Sequence, residues 1–174
     1  MNKKAILATD LSETADLLID CTDQYRALGI DNIALFHALG VSYTNFAGYT
    51  FMDRTKQKLN KLKNQFEDKG FDTEIILKEG QPARELVQFA QEDPESLIII
   101  GTKGMGFAKD VLIGSTADQV LRHGKNPILV IQLLDKLEEN DDPAKCEFYC
   151  HDINRNVLFA TDFSEAADEA FYHF

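Results

Sequence analysis

Short apolar segments alternate with amphipathic segments along most of this chain. Five apolar segments are predicted as strands, at residues 5–8, 33–38, 73–77, 97–100 and 128–132. Between them, apolar residues recur at steps of three and four, as Leu18, Cys21, Tyr25 and Leu28 do, which predicts helices with one buried face. Strands that alternate with helices form a parallel sheet with right-handed crossovers. The pattern therefore predicts an α/β fold, an open five-stranded parallel sheet with helices on both faces.

Capping residues mark the expected helix boundaries. Ser12 is suited to cap the first helix, while Gly29 and Gly70 are suited to end the first and the second. Pro82 is expected near the first position of the third helix, and a fourth is predicted over residues 115–123.

A long loop is predicted over residues 39–49, between the second strand and the second helix. Aromatic residues lie in and beside it: Tyr43, Phe46, Tyr49 and Phe51. They could cover a bound base, contact a partner or shield the core, and the sequence leaves these alternatives open.

Composition restricts the classes of partner. The chain has 174 residues and a net charge of −11, which suits one sizeable domain and disfavours a nucleic acid partner. The apolar segments are far too short to span a bilayer. The N-terminus lacks the apolar core of a signal peptide, so the expected location is the cytoplasm, away from membranes.

The three cysteines are Cys21, Cys146 and Cys150. An odd number without a secretion signal argues against a disulfide framework. Cys146, Cys150 and His151 could be interpreted as a metal cluster, but zinc needs about four ligands and no second pair lies nearby. We expect no metal site and three reduced thiols.

Three polar or glycine-rich loops follow predicted strands. They begin at Thr9-Asp10, at His37-Ala38-Leu39 and at Gly101. Ligands of open parallel sheets bind at the carboxyl ends of the strands, near the point where the strand order reverses. Topology alone therefore predicts that these loops converge on a ligand.

The third of these loops has the features of a phosphate-binding loop. Gly101, Gly104 and Gly114 let backbone N–H groups approach phosphate oxygens. Ser115 and Thr116 follow at a helix N-terminus, which favours anions. The spacing matches neither the P-loop nor the dinucleotide fingerprint. The alternative is a surface loop whose glycines only form turns, but its position after a buried strand and before a helix favours phosphate binding.

Three residue sets resemble the universal stress protein family. They are residues 7–13, residues 100–104 with 114–116, and residues 126–131, which together frame residues 1–132. The resemblance implies a Rossmann-like, adenine nucleotide alpha hydrolase-like domain that binds ATP, ADP or AMP, with Mg²⁺ accompanying the nucleotide. The implied binding residues are Ala8, Thr9, Asp10, Ala38, Ile100, Gly101, Lys103, Gly104, Gly114, Ser115 and Thr116. Ala117 departs from the pattern, because some nucleotide-binding members carry a hydroxyl there.

Some of these positions have simpler interpretations. Asp10 could merely begin the first helix, His37 is expected to be a hydrogen-bonded core histidine, and Lys103 could be a solvated lysine. Hydrolysis needs a metal site and a positioned water, and no acidic strand end is paired with a P-loop hydroxyl. We therefore expect a nucleotide-dependent sensor or regulator with slow or no hydrolysis. The alternatives are a ligand-free interaction module acting through dimerisation and an adenylating enzyme, for which no second catalytic motif is found.

The fifth strand is expected to form a sheet edge. Unpaired apolar edges favour association, and in the resembled family such edges pair, so a homodimer is expected.

The chain also contains an internal repeat. Residues 160–168 match residues 8–16 at seven of nine positions. We predict a complete domain over residues 1–134, an acidic linker over 135–155, and the first strand and helix of a truncated second repeat over 156–174.

Overall fold

The computed structural model describes residues 3–12, 18–40, 48–102 and 113–131, together with Ser164, and for residues 48–51 the backbone alone. The strands are β1 (Lys3–Ala8), β2 (Ile30–Leu39), β3 (Asp72–Glu79), β4 (Leu97–Gly101) and β5 (Ile128–Ile131). The helices are α1 (Thr22–Ala27), α2 (Gly48–Asp68), α3 (Pro82–Ala90) and α4 (Ser115–His123). None of the described helices is long and apolar enough to cross a membrane.

The five strands form one parallel sheet in the order β3-β2-β1-β4-β5. The predicted α/β class and open five-stranded parallel sheet are thus confirmed. The chain runs outward from β1 through β2 to β3 and then crosses back to β4 on the other side of β1. The strand order therefore reverses between β1 and β4.

Apolar side chains cover both faces of the central strands. Ile98 and Ile99 on β4 are each 0% exposed although they point to opposite faces. One core cluster includes Leu7 and Leu35 with Leu59 of α2, and the other includes Phe36 with Leu86 of α3. Helices on both faces thus explain why the central strands have no polar side.

The structure differs from the predicted pattern in the first helical segment. Leu18 and Ile19 are helical, Asp20 and Cys21 form a turn, and α1 then begins at Thr22. The sequence pattern predicted one continuous helix, because a turn that preserves the buried face also preserves the apolar spacing. The expected cap at Ser12 adjoins residues 13–17, which lie outside the described residues.

Two glycines end helices as predicted. Gly29 has φ 77° after α1, and Gly70 has φ 84° after α2. These left-handed conformations suit glycine, which lacks a Cβ. The second helix begins at Gly48, within the loop predicted over residues 39–49; Tyr43 and Phe46 of that loop lie outside the described residues.

The expectation of three reduced thiols is wrong for Cys21. This side chain is 3% exposed and disulfide-bonded. Cys146 and Cys150 lie outside the described residues.

Tyr25 of α1 lies in the core beneath the sheet. Its side chain is 0% exposed, and within the described part of the chain its hydroxyl has no hydrogen-bond partner. Burial raises the pKa of this phenol above its ordinary range. The ring therefore contributes apolar packing while its hydroxyl is desolvated without compensation.

Asn126 joins the amino-terminal side of the sheet. Its Nδ2 group donates to the carbonyl oxygens of Ala90 and Asp93, at 3.0 and 2.9 Å, and to Ser96, whose carbonyl oxygen and Oγ are each 3.2 Å away. This side chain is 7% exposed. It therefore satisfies buried backbone groups where α3 ends and β4 begins, just before the chain enters β5.

Candidate functional site

The candidate site lies at the carboxyl edge of the sheet, where β1 and β4 are neighbours. Ala8 pairs with Ile100 in the last register position that these two strands share. Thr9 and Asp10 follow directly on one strand, and Gly101 and Thr102 on the other. This is the crevice in which ligands of open parallel sheets bind, so the topological prediction of converging loops is met for β1 and β4.

The turn after β1 is closed by its own side chains. Leu11 N donates to Thr9 Oγ1 at 3.0 Å, and Ser12 N donates to Asp10 Oδ1 at 3.0 Å. Leu11 adopts φ 59°, the left-handed conformation that a leucine rarely takes. One Asp10 oxygen thus shapes this turn, a structural role beside the predicted one at the nucleoside.

Two side chains from other elements also hold this turn. The Nδ1 atom of His37, on β2, lies 2.8 Å from the carbonyl oxygen of Thr9. Lys58 of α2 donates from Nζ to the carbonyl oxygen of Leu11 at 3.2 Å. His37 is 9% exposed, so the prediction of a hydrogen-bonded core histidine is confirmed. Sequence patterning carries no signal for Lys58, because a lysine on an exposed helical position is normally solvated.

The base of the glycine-rich loop is closed by backbone hydrogen bonds. Thr102 N donates to Ile131 O at 2.9 Å, and Gly114 N donates to Thr102 O at 2.6 Å. The second bond joins the end of β4 directly to the residue that precedes α4. Lys103 and Gly104 lie outside the described residues, but the start of α4 is held beside the switch point.

Helix α4 presents the predicted anion-binding end to this crevice. It begins at Ser115, after Gly114, which provides no side-chain cap. The first N–H groups of any α-helix have no partner within the helix, and the dipole gives this end a partial positive charge. Gly114, Ser115 and Thr116 therefore lie at the start of a nine-residue helix, as the sequence predicted, and anion binding by them stays a prediction.

An acidic residue also lies in the first turn of α4. Arg122 Nε donates to Asp118 Oδ2 at 2.9 Å, and this hydrogen bond holds the pKa of the Asp118 carboxyl below its ordinary value. Both side chains are exposed, so the ion pair adds little stability. The guanidinium offsets the negative charge that Asp118 would otherwise present near an anion.

Three of the predicted apolar residues share one face of the sheet. Ile100 belongs to the core cluster beneath α3 and α4, and the partly buried Ala8 and Ala38 pack against that cluster. Ala117 of α4 is 2% exposed in the same cluster, so the position that departs from the family pattern is a packing position here. His37 belongs to the other face by strand alternation and reaches the turn from there.

Within the described residues, no group of three histidine, cysteine or acidic side chains is arranged to hold a metal ion. The described site consists instead of backbone N–H groups, hydroxyls, the Asp10 carboxylate and an apolar wall. Such a site suits a ligand with both an anionic and an apolar part.

A five-stranded parallel sheet that has helices on both faces and reverses its strand order between β1 and β4 defines an α/β domain of the Rossmann-like class. The sequence model of the universal stress protein family matches residues 1–132. The chain therefore belongs to the universal stress protein family, as its motifs predicted.

Relatives and solved structures agree with this membership. A universal stress protein of Methanocaldococcus jannaschii is 29% identical, covering 76% of this chain and 96% of the relative. The solved structure of that protein, at 27% identity, superposes with a TM-score of 0.69 over 78% of this chain and 99% of its own. A universal stress protein of Archaeoglobus fulgidus, at 21% identity, has the same fold with a TM-score of 0.77. The superposition covers 98% of this chain and 60% of the Archaeoglobus fulgidus protein.

Proposed function

We propose that this domain binds an adenine nucleotide in the crevice between β1 and β4 and acts as a nucleotide-dependent sensor or regulator in stress response. The observation that carries the proposal is the hydrogen bond from Gly114 N to Thr102 O, at 2.6 Å. It holds the anion-binding end of α4 against the strand that forms the crevice. Phosphates would bind at Gly114, Ser115 and Thr116, with Thr9 and Asp10 at the nucleoside.

The backbone at Gly114 supports this assignment. Its φ and ψ are −67° and 154°, an extended conformation that any residue adopts. Glycine is therefore not required there for its conformation. A missing side chain at a helix N-terminus lets a phosphate approach the N–H groups closely.

The apolar wall supports a base as the second part of the ligand. Ala8 and Ala38 are small, half-buried residues at the carboxyl ends of β1 and β2, where small side chains leave room for a flat ring. Two solved universal stress proteins with this fold, at 20% and 22% identity and TM-scores of 0.55, are complexes with dAMP and cAMP. An adenine nucleotide is the ligand that combines these features.

Binding is favoured over rapid hydrolysis. Phosphoryl transfer to water requires bound Mg²⁺ and a residue that positions the water. At the proposed phosphate position, the start of α4, the described residues supply helix N–H groups and hydroxyls, which bind phosphate without activating water. Mg²⁺ would then reach the site with the nucleotide, held by the phosphates.

Released nucleotide tests the proposal directly. The purified protein is denatured, and the supernatant is analysed by mass spectrometry for ATP, ADP and AMP; calorimetry then measures binding of each to nucleotide-free protein. Adenine nucleotide in the supernatant or calorimetric binding is expected. The proposal would be refuted if the protein released no adenine nucleotide and bound none in calorimetry.

The alternative function is an interaction module that has no ligand. The exposed Ile113, 43% exposed just before α4, favours contact with another protein at this end of the sheet. The variant Gly114→Val separates the two functions. Nucleotide binding predicts lost affinity with an unchanged fold by circular dichroism, whereas an interaction module predicts no change in function.

We also propose a homodimer through β5. All four residues of this strand are half-buried, and β4 is its only neighbour in the described sheet. The carbonyls of Pro127 and Ile131 accept hydrogen bonds from the β4 side. Alternation along the strand leaves the backbone groups of Ile128 and Val130 on the outer edge.

That alternation provides a matched pair of variants for the dimer. Val130→Pro removes an outward N–H, whereas Leu129→Pro removes one from the ladder with β4. The first should give a folded monomer by light scattering, and the second should disrupt the fold. A Val130→Pro protein that remains dimeric would contradict edge pairing.

A chain that ends near Leu134 tests whether the later residues contribute, since an unchanged oligomeric state would exclude them from the assembly.

We further propose that residues 156–174 begin a second domain of the same kind, after the acidic linker at 135–155. The repeat of residues 8–16 supports this, as does the longer Archaeoglobus fulgidus protein that covers 98% of this chain.

We propose a cytoplasmic location, where adenine nucleotides are abundant. Fluorescence microscopy of a tagged chain in cells tests the location, and a membrane-bound or exported signal would contradict it.

A further inference from the structure

The turn after β1 is held from two sides by residues outside it. His37 reaches the Thr9 carbonyl from β2, and Lys58 reaches the Leu11 carbonyl from α2. A carbonyl oxygen can only accept, so the His37 Nδ1 atom must carry the hydrogen in this bond. Thr9 N meanwhile donates to the carbonyl oxygen of Phe36 at 3.0 Å. Consecutive residues of β2 thus fix both backbone groups of Thr9.

The turn needs this support because its conformation is unfavourable. Leu11 holds φ 59° while its side chain is 8% exposed. A leucine in the left-handed region is strained by about 1–2 kcal/mol. His37 and Lys58 bind the carbonyls of Thr9 and Leu11, which lie on either side of Asp10. These contacts therefore favour the strained turn over more extended alternatives.

We propose that His37 and Lys58 are positioning residues of the nucleotide site. They set the place of Thr9 and Asp10 at the crevice without contacting the ligand. His37 acts from the sheet face opposite Ala8 and Ala38, and Lys58 acts through a backbone carbonyl. This inference rests on the proposed nucleotide binding, since it assigns the nucleoside end of that site to a preorganised turn.

Preorganisation predicts a specific pattern of affinities. If the turn is already set in the free protein, the ligand does not have to order it on binding. Loss of one support should therefore weaken binding of adenosine and of ATP by the same factor. The phosphate end of the site, at α4, should be unaffected.

Matched variants make the test sharp. Asparagine places its Nδ2 group close to the position of a histidine Nδ1, and leucine has nearly the shape of asparagine without the donor. His37→Leu should weaken binding of both adenosine and ATP about three- to ten-fold, the loss of one hydrogen bond. The dissociation constants of His37→Asn for adenosine and ATP should remain within about two-fold of those of the wild type.

Lysine variants of α2 supply the second arm. Lys58→Met should weaken both ligands by a similar factor, and Lys61→Met is the control that removes an equal charge from an exposed position on the same helix. Titration calorimetry measures both dissociation constants, and urea unfolding verifies that each variant is folded. A merely structural role would lower the unfolding midpoint while leaving the affinity of the folded protein unchanged.

The outcomes separate the two hypotheses. Failure of the wild type to bind adenosine, AMP, ADP or ATP refutes the proposed function itself. Binding by the wild type with unchanged affinities in His37→Leu and Lys58→Met refutes the positioning role alone. Equal losses in Lys58→Met and Lys61→Met would assign the effect to net charge, and selective loss of ATP but not adenosine would assign it to the phosphates; both results overturn the inference.

Discussion

Replacement of Tyr25 by phenylalanine should stabilise this domain. The hydroxyl is buried and lacks a hydrogen-bond partner among the described residues, while the ring packs in a core cluster. Burial of an uncompensated hydroxyl costs about 1–2 kcal/mol. Tyr25→Phe retains the ring and removes that penalty, so the free energy of unfolding should rise by about 1–2 kcal/mol at pH 7.

The same side chain predicts a pH dependence of known sign. Burial raises the pKa of the folded phenol, so the free energy of unfolding is independent of this group below the unfolded pKa and falls as pH rises towards the folded pKa. The unfolded phenol ionises near pH 10. At pH 11 the wild type should therefore lose about 1.4 kcal/mol that the phenylalanine variant keeps.

Urea unfolding at pH 7 and pH 11 measures both effects. With a slope of about 2 kcal/mol/M, the midpoint of Tyr25→Phe should exceed that of the wild type by about 0.5–1 M at pH 7. The gap should widen at pH 11, and comparison of the two proteins at each pH cancels other titrating groups. A lower midpoint at pH 7 would mean that the hydroxyl is hydrogen-bonded, and a constant gap would mean that the phenol is not buried.

Three further predictions concern the scaffold. Asn126→Leu should lower the free energy of unfolding by about 3 kcal/mol, since several buried acceptors lose their donor; a loss below about 1 kcal/mol in urea would contradict this. Gly80→Ala should lower the free energy of unfolding by about 2 kcal/mol, because Gly80 has φ 146° and a Cβ there would lie 2.6 Å from Glu85 Oε1. Adding Glu85→Ala removes that contact but not the backbone strain, so a thermal melt should show only part of the lost stability recovered. Full recovery would mean that the backbone is unstrained. The pair with Arg122 lowers the pKa of Asp118, so its small stabilising contribution is present above about pH 4 and should vanish as pH falls through the folded pKa. Asp118→Asn should lack this small acid-side loss, and a variant whose stability falls with acid just as the wild type's does would show that the pair does not stabilise the fold.

The sequence predicted the elements whose signals are local. Strand β4 is apolar on both faces, and α4 lies between Gly114 and Gly124, so its bounds were predicted to the residue. The turn at Asp20 and Cys21 was missed because it preserves the spacing of buried side chains. Local patterns thus identified where helices and strands lie but not where a helix is interrupted.

The candidate site was predictable in part for the same reason. The alternation of strands and helices, together with glycine spacing, is enough to place Gly101 and Gly114 at one edge of the sheet. Lys58 could not be found that way, since its contact with Leu11 O joins positions 47 residues apart. The Cys21 disulfide was missed because an odd number of cysteines without a secretion signal favoured reduced thiols.

The hydrogen bond from Gly114 N to Thr102 O anchors the start of α4 directly to the end of β4. Because β4 and α4 are joined at their ends, the two places at which the chain enters and leaves the segment 103–112 are fixed near Thr102 and Gly114. Changes of length or composition in that segment are therefore expected to leave the position of α4 unchanged. The domain is thus suited to tolerate loop exchange at this point, at little cost to its architecture.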